Sequence, residues 1–477
     1  MGTPTLAIIG AGFSGTTLAV ELLRRSRAPL RILLIDRAQP GRGLAYARRS
    51  YPYLLNVPAG RMSADGTDAG AFLRFARRHL PRAQASDFLP RELYGDYLEA
   101  TLAAAEQCAE PAVTLERLHG TVIALERPAR GGPTRLHFGH GRIVSADAVV
   151  LALGNPPPAE LPGTQALRGS GRFVADPWGP AQPPRAGETV LVLGSGLTMA
   201  DVVLAGAAAT GGKVQFHALS RRGLVPPPQN SSAGTPDPAR AERLLQAAAR
   251  SARTLFVAVR ELAAELEARG GDWREAITFV RGLAPQLWER LPPPERRRFL
   301  RHLRSLWDVH RHRLPESTAE SLAQMRRDGS LEVHAGRLLA LGRHGARVRV
   351  CYRARGATTV TRLLVDRVIN CTGPDFDVRR TRERLVRALL AQGTVTADPL
   401  GLGLVTAGHG AVVDASGRAA GNLFYLGPLL RARHWESTAA AELRGHAAAL
   451  AAHLCGHLAA PALPVAPPRR DRAPLYA

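Results

Sequence analysis

The chain has 477 residues, enough for two or three domains with separate cores, and its 45% hydrophobic fraction is typical of a folded protein rather than a disordered one. The formal net charge is +23, but almost all of the positive charge is arginine, with Lys213 as the single lysine. Because no RNA-binding, zinc-finger or helix-turn-helix motif accompanies this charge, we expect it to attract anionic ligands and do not predict a nucleic-acid partner.

Cysteine spacing and hydrophobic runs bear on metal binding and location. Cys108, Cys351, Cys371 and Cys455 form no C-x-x-C pair, so we predict neither a metal site nor a disulfide-exchange centre, and we expect a reducing, cytoplasmic location. The apolar run at 6–9 leads directly into glycines and is interpreted as a buried strand rather than a leader peptide. No apolar run reaches the length of about 18 residues that predicts a membrane span.

The N-terminal segment predicts a strand, a helix and a second strand. TLAIIG leads into the fingerprint G-A-G-F-S-G at 10–15, a helix is predicted over about 13–26, and RILLID follows, ending at Asp36. Glycines at this spacing permit a tight turn and the close approach of a pyrophosphate, which the helix N-terminus would face. Asp36 is placed to accept a hydrogen bond from a ribose hydroxyl, so this unit predicts a dinucleotide site.

The next part of the chain connects this unit to a second one. Glycine- and proline-rich loops are predicted at 41–66, helices near 68–79 and 91–107, and a strand pair ending in AVVLALG at 148–154. The proline run after Gly154 marks a crossing between domains, since proline removes backbone donors and stiffens a connection.

A second strand, helix and strand are predicted over 189–220. Met199 occupies the third glycine position of this second fingerprint, which makes the turn less regular than the first. Its second strand ends in Ser220-Arg221-Arg222, without an acid for a ribose diol, and an arginine there suits the 2′-phosphate of NADP. The alternative is that Arg221 and Arg222 are ordinary surface charges in an arginine-rich chain.

Residues 235–330 are predicted to form a helical insertion, a cap beside the nicotinamide domain. An apolar stripe at helical spacing is formed by Phe299, Leu303, Leu306 and His310. We expect the Arg311-His312-Arg313 cluster on a solvated face or near the mouth of the active site, where it would steer an anionic substrate. A long last helix is predicted from about Glu436 to Leu458, and residues 461–477 are predicted to be a flexible tail.

The order of the motifs predicts the domain plan. Strands ending at Gly154, Gly373 and Gly427 follow the fingerprints in the order expected when an FAD domain is interrupted by a nicotinamide-nucleotide domain and then resumes. We therefore predict an α/β fold with two interlocked Rossmann-like dinucleotide-binding domains and a helical insertion. The predicted ranges are 1–160 (FAD-binding domain, first part), 161–234 (NAD(P)-binding domain, first part), 235–330 (helical insertion), 331–364 (NAD(P)-binding domain, remainder), 365–460 (FAD-binding domain, second part) and 461–477 (tail).

Four segments carry a resemblance to a known family: GRGLAYARRSYPYLLNVPAGRMS (41–63), PRELYGDYL (90–98), LRGSGRFVADPW (167–178) and YLGPLLRARHWESTA (425–439). With the two fingerprints, they resemble the FAD-NAD(P)-binding flavoproteins that include FAD-dependent urate hydroxylase and the nitrosuccinate-forming L-aspartate N-monooxygenase. That family is related to the flavin-containing and N-hydroxylating monooxygenases. The resemblance covers residues 1 to about 228 and 365–458.

The resemblance implies which residues hold the cofactors FAD and NADPH, with NADH as the alternative. The ADP half of FAD would lie at the first fingerprint and Asp36, the isoalloxazine or ribityl chain near Asn56, Arg61 and Met62, and the flavin near Gly427. The predicted cofactor-binding residues are Gly10, Gly12, Phe13, Ser14, Gly15, Asp36, Arg37, Asn56, Arg61, Met62, Gly154, Gly194, Ser195, Gly196, Leu197, Thr198, Arg221, Arg222, Gly373 and Gly427.

Two positions depart from the family pattern. Pro428 follows Gly427 where many relatives have an acid that contacts the ribityl chain, so that contact would have to come from another residue. Asp176-Pro177-Trp178 stands where flavin monooxygenases of the fingerprint type carry a histidine. Because of both departures, the resemblance does not imply a specific oxygenation mechanism.

The implied activity is that of an FAD-dependent NAD(P)H oxidoreductase, a monooxygenase. NADPH would reduce FAD, dioxygen would add to the reduced flavin, and the flavin hydroperoxide would hydroxylate a small polar substrate, anionic substrates included. We name no catalytic side chain, because the cofactor carries the chemistry. The substrate-contact candidates are Arg431, Arg433, His434 and Trp435. The alternatives are a reductase that passes electrons to a quinone or protein acceptor, and a non-catalytic redox-sensing flavoprotein whose insertion binds an acidic partner.

Overall fold

The computed structural model describes residues 2–128, 132–180, 182–229 and 237–459. In chain order the strands are β1 (Thr5–Ile9), β2 (Leu30–Asp36), β3 (Val113–His119), β4 (Val122–Glu126), β5 (Thr134–Phe138), β6 (Ile143–Ala146), β7 (Ala148–Leu151), β8 (Phe173–Val174), β9 (Thr189–Leu193), β10 (Gln215–Ser220), β11 (Leu331–His344), β12 (Arg347–Ala354), β13 (Thr361–Val365), β14 (Arg367–Asn370), β15 (Ala411–Val413) and β16 (Ala419–Tyr425). The α-helices are α1 (Phe13–Arg25), α2 (Ala71–His79), α3 (Arg91–Gln107), α4 (Leu197–Ala209), α5 (Pro238–Arg250), α6 (Ala252–Ala268), α7 (Trp273–Arg290), α8 (Pro293–His302), α9 (Arg304–Arg311), α10 (Glu316–Arg327), α11 (Arg384–Ala391) and α12 (Ala440–Ala459).

The first sheet is built from both ends of the chain. Its strand order is β15-β16-β7-β1-β2-β3, and all neighbours are parallel except β15 and β16. Parallel neighbours need crossover connections, and α1 provides the one between β1 and β2. On one face of the sheet α1 packs with α3 and α12, and on the other face lie α11 and the antiparallel sheet β4-β5-β6.

The second sheet has the order β13-β12-β11-β10-β9-β14-β8. Strands β11, β10, β9, β14 and β8 pair in parallel, and β12 and β13 extend the sheet antiparallel. Strand β16 pairs with β7 of the first sheet, and all strands of the second sheet lie between these two in the chain. The second unit is therefore inserted into the first. The predicted α/β fold with two interlocked Rossmann-like domains is therefore confirmed.

The structure differs from the prediction at the second domain boundary. We placed the return to the FAD domain at 365, but β14 (Arg367–Asn370) pairs with β8 and β9 of the second sheet. An apolar run such as the one that includes β14 is compatible with a buried strand of either sheet. Only the strand pairing assigns it to the second sheet.

Helices α5 to α9 form the body of the insertion. Their shared core includes Leu287 and Trp288 of α7, and it also contains Leu402 and Trp435 from the C-terminal part of the chain. Helix α10 instead packs against α4 and β11, with Leu322 buried in the core of the second sheet. The insertion therefore lies beside the nicotinamide domain, as predicted, and it also packs on the resumed FAD domain, which was not predicted.

Two local features of the helices also differ from the prediction. The last helix begins at Ala440 rather than near Glu436, because residues 433–439 form tight turns in which Thr438 N donates to Glu436 O. The predicted apolar stripe is divided between α8 and α9 at Leu303. The predicted tail at 461–477 lies outside the described residues, and within the described ones we find no helix long and apolar enough to cross a membrane.

Candidate functional site

The first fingerprint forms a tight turn between β1 and α1. Gly10 has φ +104°, and a Cβ there would lie 2.2 Å from the carbonyl oxygen of Ala152 in the neighbouring strand region. A Cβ on Gly15 would lie 1.8 Å from Gly10 O, so no larger residue fits where α1 meets β1. The carboxylate of Asp36 accepts a hydrogen bond from Ala11 N at 2.6 Å, which fixes this turn to the end of β2.

The second fingerprint forms the corresponding turn between β9 and α4. Gly194 has φ +117°, and a Cβ there would lie 2.3 Å from Cys371 O. Met199 does not prevent helix formation, because its side chain is fully buried in the core between α4 and the second sheet. The Ser195 hydroxyl lies 2.8 Å from the Ser220 hydroxyl, which holds the end of β10 beside the turn.

Both fingerprint helices begin without a side-chain cap. Helix α1 follows Gly12 and α4 follows Gly196, and neither has an acidic residue in its first turn. By contrast, α5, α6 and α7 are capped by the side chains of Asp237, Ser251 and Asp272. The first N–H groups of α1 and α4 therefore remain to bind an anion, and the positive end of each helix dipole favours one.

A single cleft connects the two turns. Gly12 and Phe13 line it from the first fingerprint, Leu197 and Thr198 from the second, and Thr438–Ala440 line it at the start of α12. The predicted cofactor residues that the cleft brings together are Gly12, Phe13, Ser14, Asn56, Met62, Gly154, Leu197, Thr198 and Gly373. The predicted residues outside its lining are Gly10, Gly15, Asp36, Arg37, Arg61, Gly194, Ser195, Gly196, Arg221, Arg222 and Gly427. Gly10, Gly15 and Gly194 shape the turns instead.

The two arginines after β10 differ in their surroundings. Arg222 Nη2 donates to His302 O at the end of α8, at 2.6 Å, so this arginine ties the insertion to the second sheet. Arg221 is exposed at the end of the strand, where the edge of a dinucleotide site is expected. Of the two, Arg221 is the candidate for a 2′-phosphate.

The region after β16 contains a glycine in a backbone conformation that other residues rarely adopt. Gly427 has φ +146° and precedes the short 3-10 helix Pro428–Ala432, and the twelve residues 428–439 lie between it and the start of α12 at Ala440. Pro428 lines the cleft, and so do residues 438–440 at the start of α12. Gly427 is therefore not at the start of the last helix, where the resemblance implied that it would meet the flavin, although its neighbour Pro428 and the start of α12 line the same cleft.

An arginine and aromatic cluster in the cleft was not predicted from the sequence. Arg91 at the start of α3 pairs with Asp201 of α4, with Nη2 2.9 Å from Oδ2. The guanidinium carbons of Arg49 and Arg91 lie 5.2 and 5.9 Å from the Trp178 ring centroid. Burial raises the pKa of the Asp201 carboxyl, and Arg91 opposes that shift. Arg91 and Asp201 are far apart in the chain, so nothing in the sequence indicates that they form an ion pair.

The Arg311-His312-Arg313 cluster is buried, so the solvated-face alternative is wrong. Arg311 Nε donates to Glu436 Oε2 at 2.8 Å, and the two side chains are 9% and 5% exposed. Arg311 and His312 line the cleft, as the other alternative expected. Burial, reinforced by the Arg311 charge, lowers the pKa of His312 to about 4. Helical spacing alone did not reveal this burial, because Glu436 lies in a distant segment.

None of the four substrate candidates lines the cleft between the fingerprints. They are Arg431, Arg433, His434 and Trp435. Arg431 is buried with its guanidinium carbon 4.0 Å from the Trp435 ring centroid and Nη2 3.6 Å from Asp308 Oδ1. Trp435 borders a separate apolar cavity inside the insertion, together with Trp273, Trp288 and Trp307. Arg433 Nη1 lies 3.4 Å from Thr406 O, and the His434 ring packs 4.6 Å from that of His446.

Comparisons with known proteins agree with this architecture. Residues 7–156 match the FAD-NAD(P)-binding family, which confirms the predicted cofactor class of the first domain. No curated protein sequence matches the chain.

Among solved structures, ornithine hydroxylase from Pseudomonas aeruginosa is 15% identical, with a TM-score of 0.62 over 96% of this chain and 99% of that one. Ornithine N-hydroxylase from Kutzneria sp. 744, with reduced FAD, NADP⁺ and L-ornithine, is 16% identical, with a TM-score of 0.56 over 95% and 99% of the two chains. Thioredoxin reductase from Lactococcus lactis is 10% identical, with a TM-score of 0.50 over 96% and 99%. At these identities the likeness shows a shared fold across almost the full length.

Proposed function

We propose that the protein is an FAD-dependent, NADPH-using monooxygenase that hydroxylates a small polar substrate with dioxygen. The observation that carries the proposal is that two uncapped fingerprint helices, α1 and α4, open onto one cleft. Such a cleft can hold the pyrophosphates of two dinucleotides, which is what electron transfer from NADPH to a flavin requires. The full-length likeness to two hydroxylases supports a monooxygenase over the reductase and redox-sensor alternatives.

Residues that line the cleft, together with Asp36 and Arg221 outside its lining, divide into two proposed cofactor-binding groups. The first N–H groups of α1 would bind the FAD pyrophosphate, Asp36 its adenosine ribose, and Asn56 and Met62 its flavin end. The N-terminus of α4 would bind the NADPH pyrophosphate and Arg221 the 2′-phosphate. Bound FAD supplies the redox chemistry between NADPH and dioxygen. The N-terminus of α12 adds a positive dipole end that favours negative charge in the cleft.

We propose an anionic substrate that meets Arg49 on the face of Trp178. Arg91 and Arg311 also line the cleft, but Asp201 and Glu436 neutralise them. Arg49 is a cation stacked on an aromatic ring, with Nη2 donating to the backbone oxygen of Trp178 at 3.1 Å. Its remaining donors are suited to a carboxylate. The resemblance of the sequence to the family that includes urate hydroxylase and L-aspartate N-monooxygenase is consistent with this substrate charge.

The test is a substrate screen with isotopically labelled dioxygen. Acidic amino acids, purines and diamines are incubated with the FAD-loaded protein and NADPH, and the products are examined by mass spectrometry. The proposal expects one labelled oxygen atom in the product for each NADPH oxidised, with free FAD and NADPH as the control. NADPH oxidation that depends on a quinone or protein acceptor, with no labelled product, would establish the reductase alternative instead. NADPH oxidation no faster than with free FAD would favour a redox sensor.

A further inference from the structure

Three potential metal ligands lie together on the second sheet, away from the cleft. In the parallel pair β10 and β11, His217 is opposite Glu332, and His334 follows two residues later on the same face of β11. His217 is buried, His334 is half-buried and Glu332 is exposed. The group is not apparent in the sequence, because more than a hundred residues separate His217 from the other two.

The distances among the donor atoms suit a first-row metal ion. His217 Nδ1 lies 3.0 Å from His334 Nε2 and 3.6 Å from Glu332 Oε2, and the last two atoms are 3.7 Å apart. The nearest point equidistant from three atoms at these separations lies in their plane, about 2.0 Å from each, so an ion slightly outside that plane would have bonds of about 2.0–2.2 Å, the length of zinc–nitrogen and zinc–carboxylate bonds. The three atoms can therefore coordinate one ion with little movement, and a water molecule would complete a tetrahedron.

The surroundings of the two rings also suit coordination. The Tyr352 hydroxyl lies 3.3 Å from His334 Nδ1, the nitrogen that points away from the group. An Nδ1–H that donates to this hydroxyl leaves Nε2 with its lone pair toward the ion, as outer partners of metal-bound histidines do. Glu332 supplies the negative charge that offsets part of the cation.

We propose that His217, Glu332 and His334 form a zinc-binding site that joins β10 to β11. Two imidazoles and one carboxylate are a donor set that Zn²⁺ accepts. The site lies three residues before Ser220, where β10 ends beside the second fingerprint turn. Bound Zn²⁺ would fix these two strands to each other and stabilise the second domain. The site is independent of the proposed monooxygenase activity and of FAD.

The test is calorimetric titration of tag-free, FAD-loaded, chelator-treated protein with zinc chloride. We expect saturable binding of one equivalent, and a higher unfolding temperature in the zinc-loaded protein because the ion binds only the folded site. Glu332→Gln and His334→Gln should each weaken binding by more than about 10-fold, and Tyr352→Phe by about 10-fold. Glu332 is exposed, so Glu332→Gln keeps the fold while removing a ligand charge.

A second histidine group provides the matched control. His409, His453 and His457 stack with interplanar angles of 4° and 14°, so their lone pairs run side by side rather than converging. His453→Gln should leave the first zinc equivalent unchanged, and X-ray absorption of that equivalent should show nitrogen and oxygen ligands at about 2.0–2.2 Å with the outer-shell scattering of two imidazole rings. Failure of the unmodified protein to bind one equivalent would overturn the proposal. Equal weakening in Glu332→Gln and His453→Gln would also overturn it.

Discussion

Arg91 and Asp201 form an ion pair, with Nη2 2.9 Å from Oδ2, that joins α3 of the first domain to α4 of the second. The two side chains are only 20% and 15% exposed. The pair therefore links the two fingerprint units directly across the proposed cofactor cleft, and its two charges should be coupled more strongly than those of a surface pair.

A double-mutant cycle of Arg91→Ala and Asp201→Asn measures this link. We expect a coupling free energy of about 1–3 kcal/mol in urea unfolding at a fixed FAD concentration. The exposed pair Arg117–Glu106, 40% and 35% exposed, is the control, and its coupling should stay below about 1 kcal/mol. Equal coupling for the two pairs would show that the interdomain pair behaves as a surface pair.

Asp36 is expected to determine FAD affinity. Asp36→Ala removes a charged acceptor for the ribose and also the hydrogen bond to Ala11 N. We expect FAD binding to weaken by about 1.5–3 kcal/mol, which is roughly 10- to 150-fold in Kd. The dissociation constant for FAD is measured by the quenching of flavin fluorescence on binding. Asp147→Ala is the matched control, since Asp147 likewise accepts from a backbone N–H, of Thr5, but at the other end of β1. Unchanged affinity in Asp36→Ala would remove Asp36 from the site.

Arg221 is expected to select NADPH over NADH. Loss of a charge-assisted contact in Arg221→Ala should lower kcat/KM for NADPH by about 10- to 100-fold and leave NADH almost unaffected. Arg222→Ala is the control, because Arg222 is bonded to His302 O and should affect both cofactors alike. If the unmodified protein uses both cofactors equally well, the arginines after β10 are surface charges.

Arg311 is expected to be structural, and not the steering residue that its charge suggested from sequence. Arg311→Ala leaves the buried Glu436 carboxylate without its cation, which should cost about 3–5 kcal/mol of unfolding free energy. Arg301→Ala, on the exposed face of α8, should change that free energy by no more than about 0.5 kcal/mol. A small effect of Arg311→Ala, combined with a substrate KM that rises only at low salt, would restore the steering role.

His312 should make stability depend on pH. Its pKa is about 4 in the folded chain, against an ordinary value of 6.5, so the unfolded chain takes up a proton first as the pH falls. This contribution to the unfolding free energy is fully present above about pH 6.5. About 2–3 kcal/mol of it is lost as the pH falls to about 4. Unfolding of His312→Gln should show a shallower pH dependence than unfolding of His344→Gln, an exposed control. Identical curves would contradict the burial argument.

The sequence predicted those parts of the structure that depend on local signals. The fingerprint at Gly10 to Gly15 predicted a turn that only glycines permit, and the order of the strand-ending glycines predicted the interrupted first sheet. Contacts between distant segments could not be predicted from a single sequence. A solvated position for Arg311 was one of two expectations because its partner, Glu436, lies more than a hundred residues away. The pair of Arg91 and Asp201 was not predicted for the same reason.

The most direct measurement is the visible spectrum of the purified protein before and after anaerobic addition of NADPH. Two dinucleotides in one cleft predict a yellow protein that contains FAD and whose flavin band is bleached by one equivalent of NADPH, much faster than free FAD is reduced. A colourless protein that takes up no FAD, or a bound flavin whose spectrum NADPH leaves unchanged, would contradict the account.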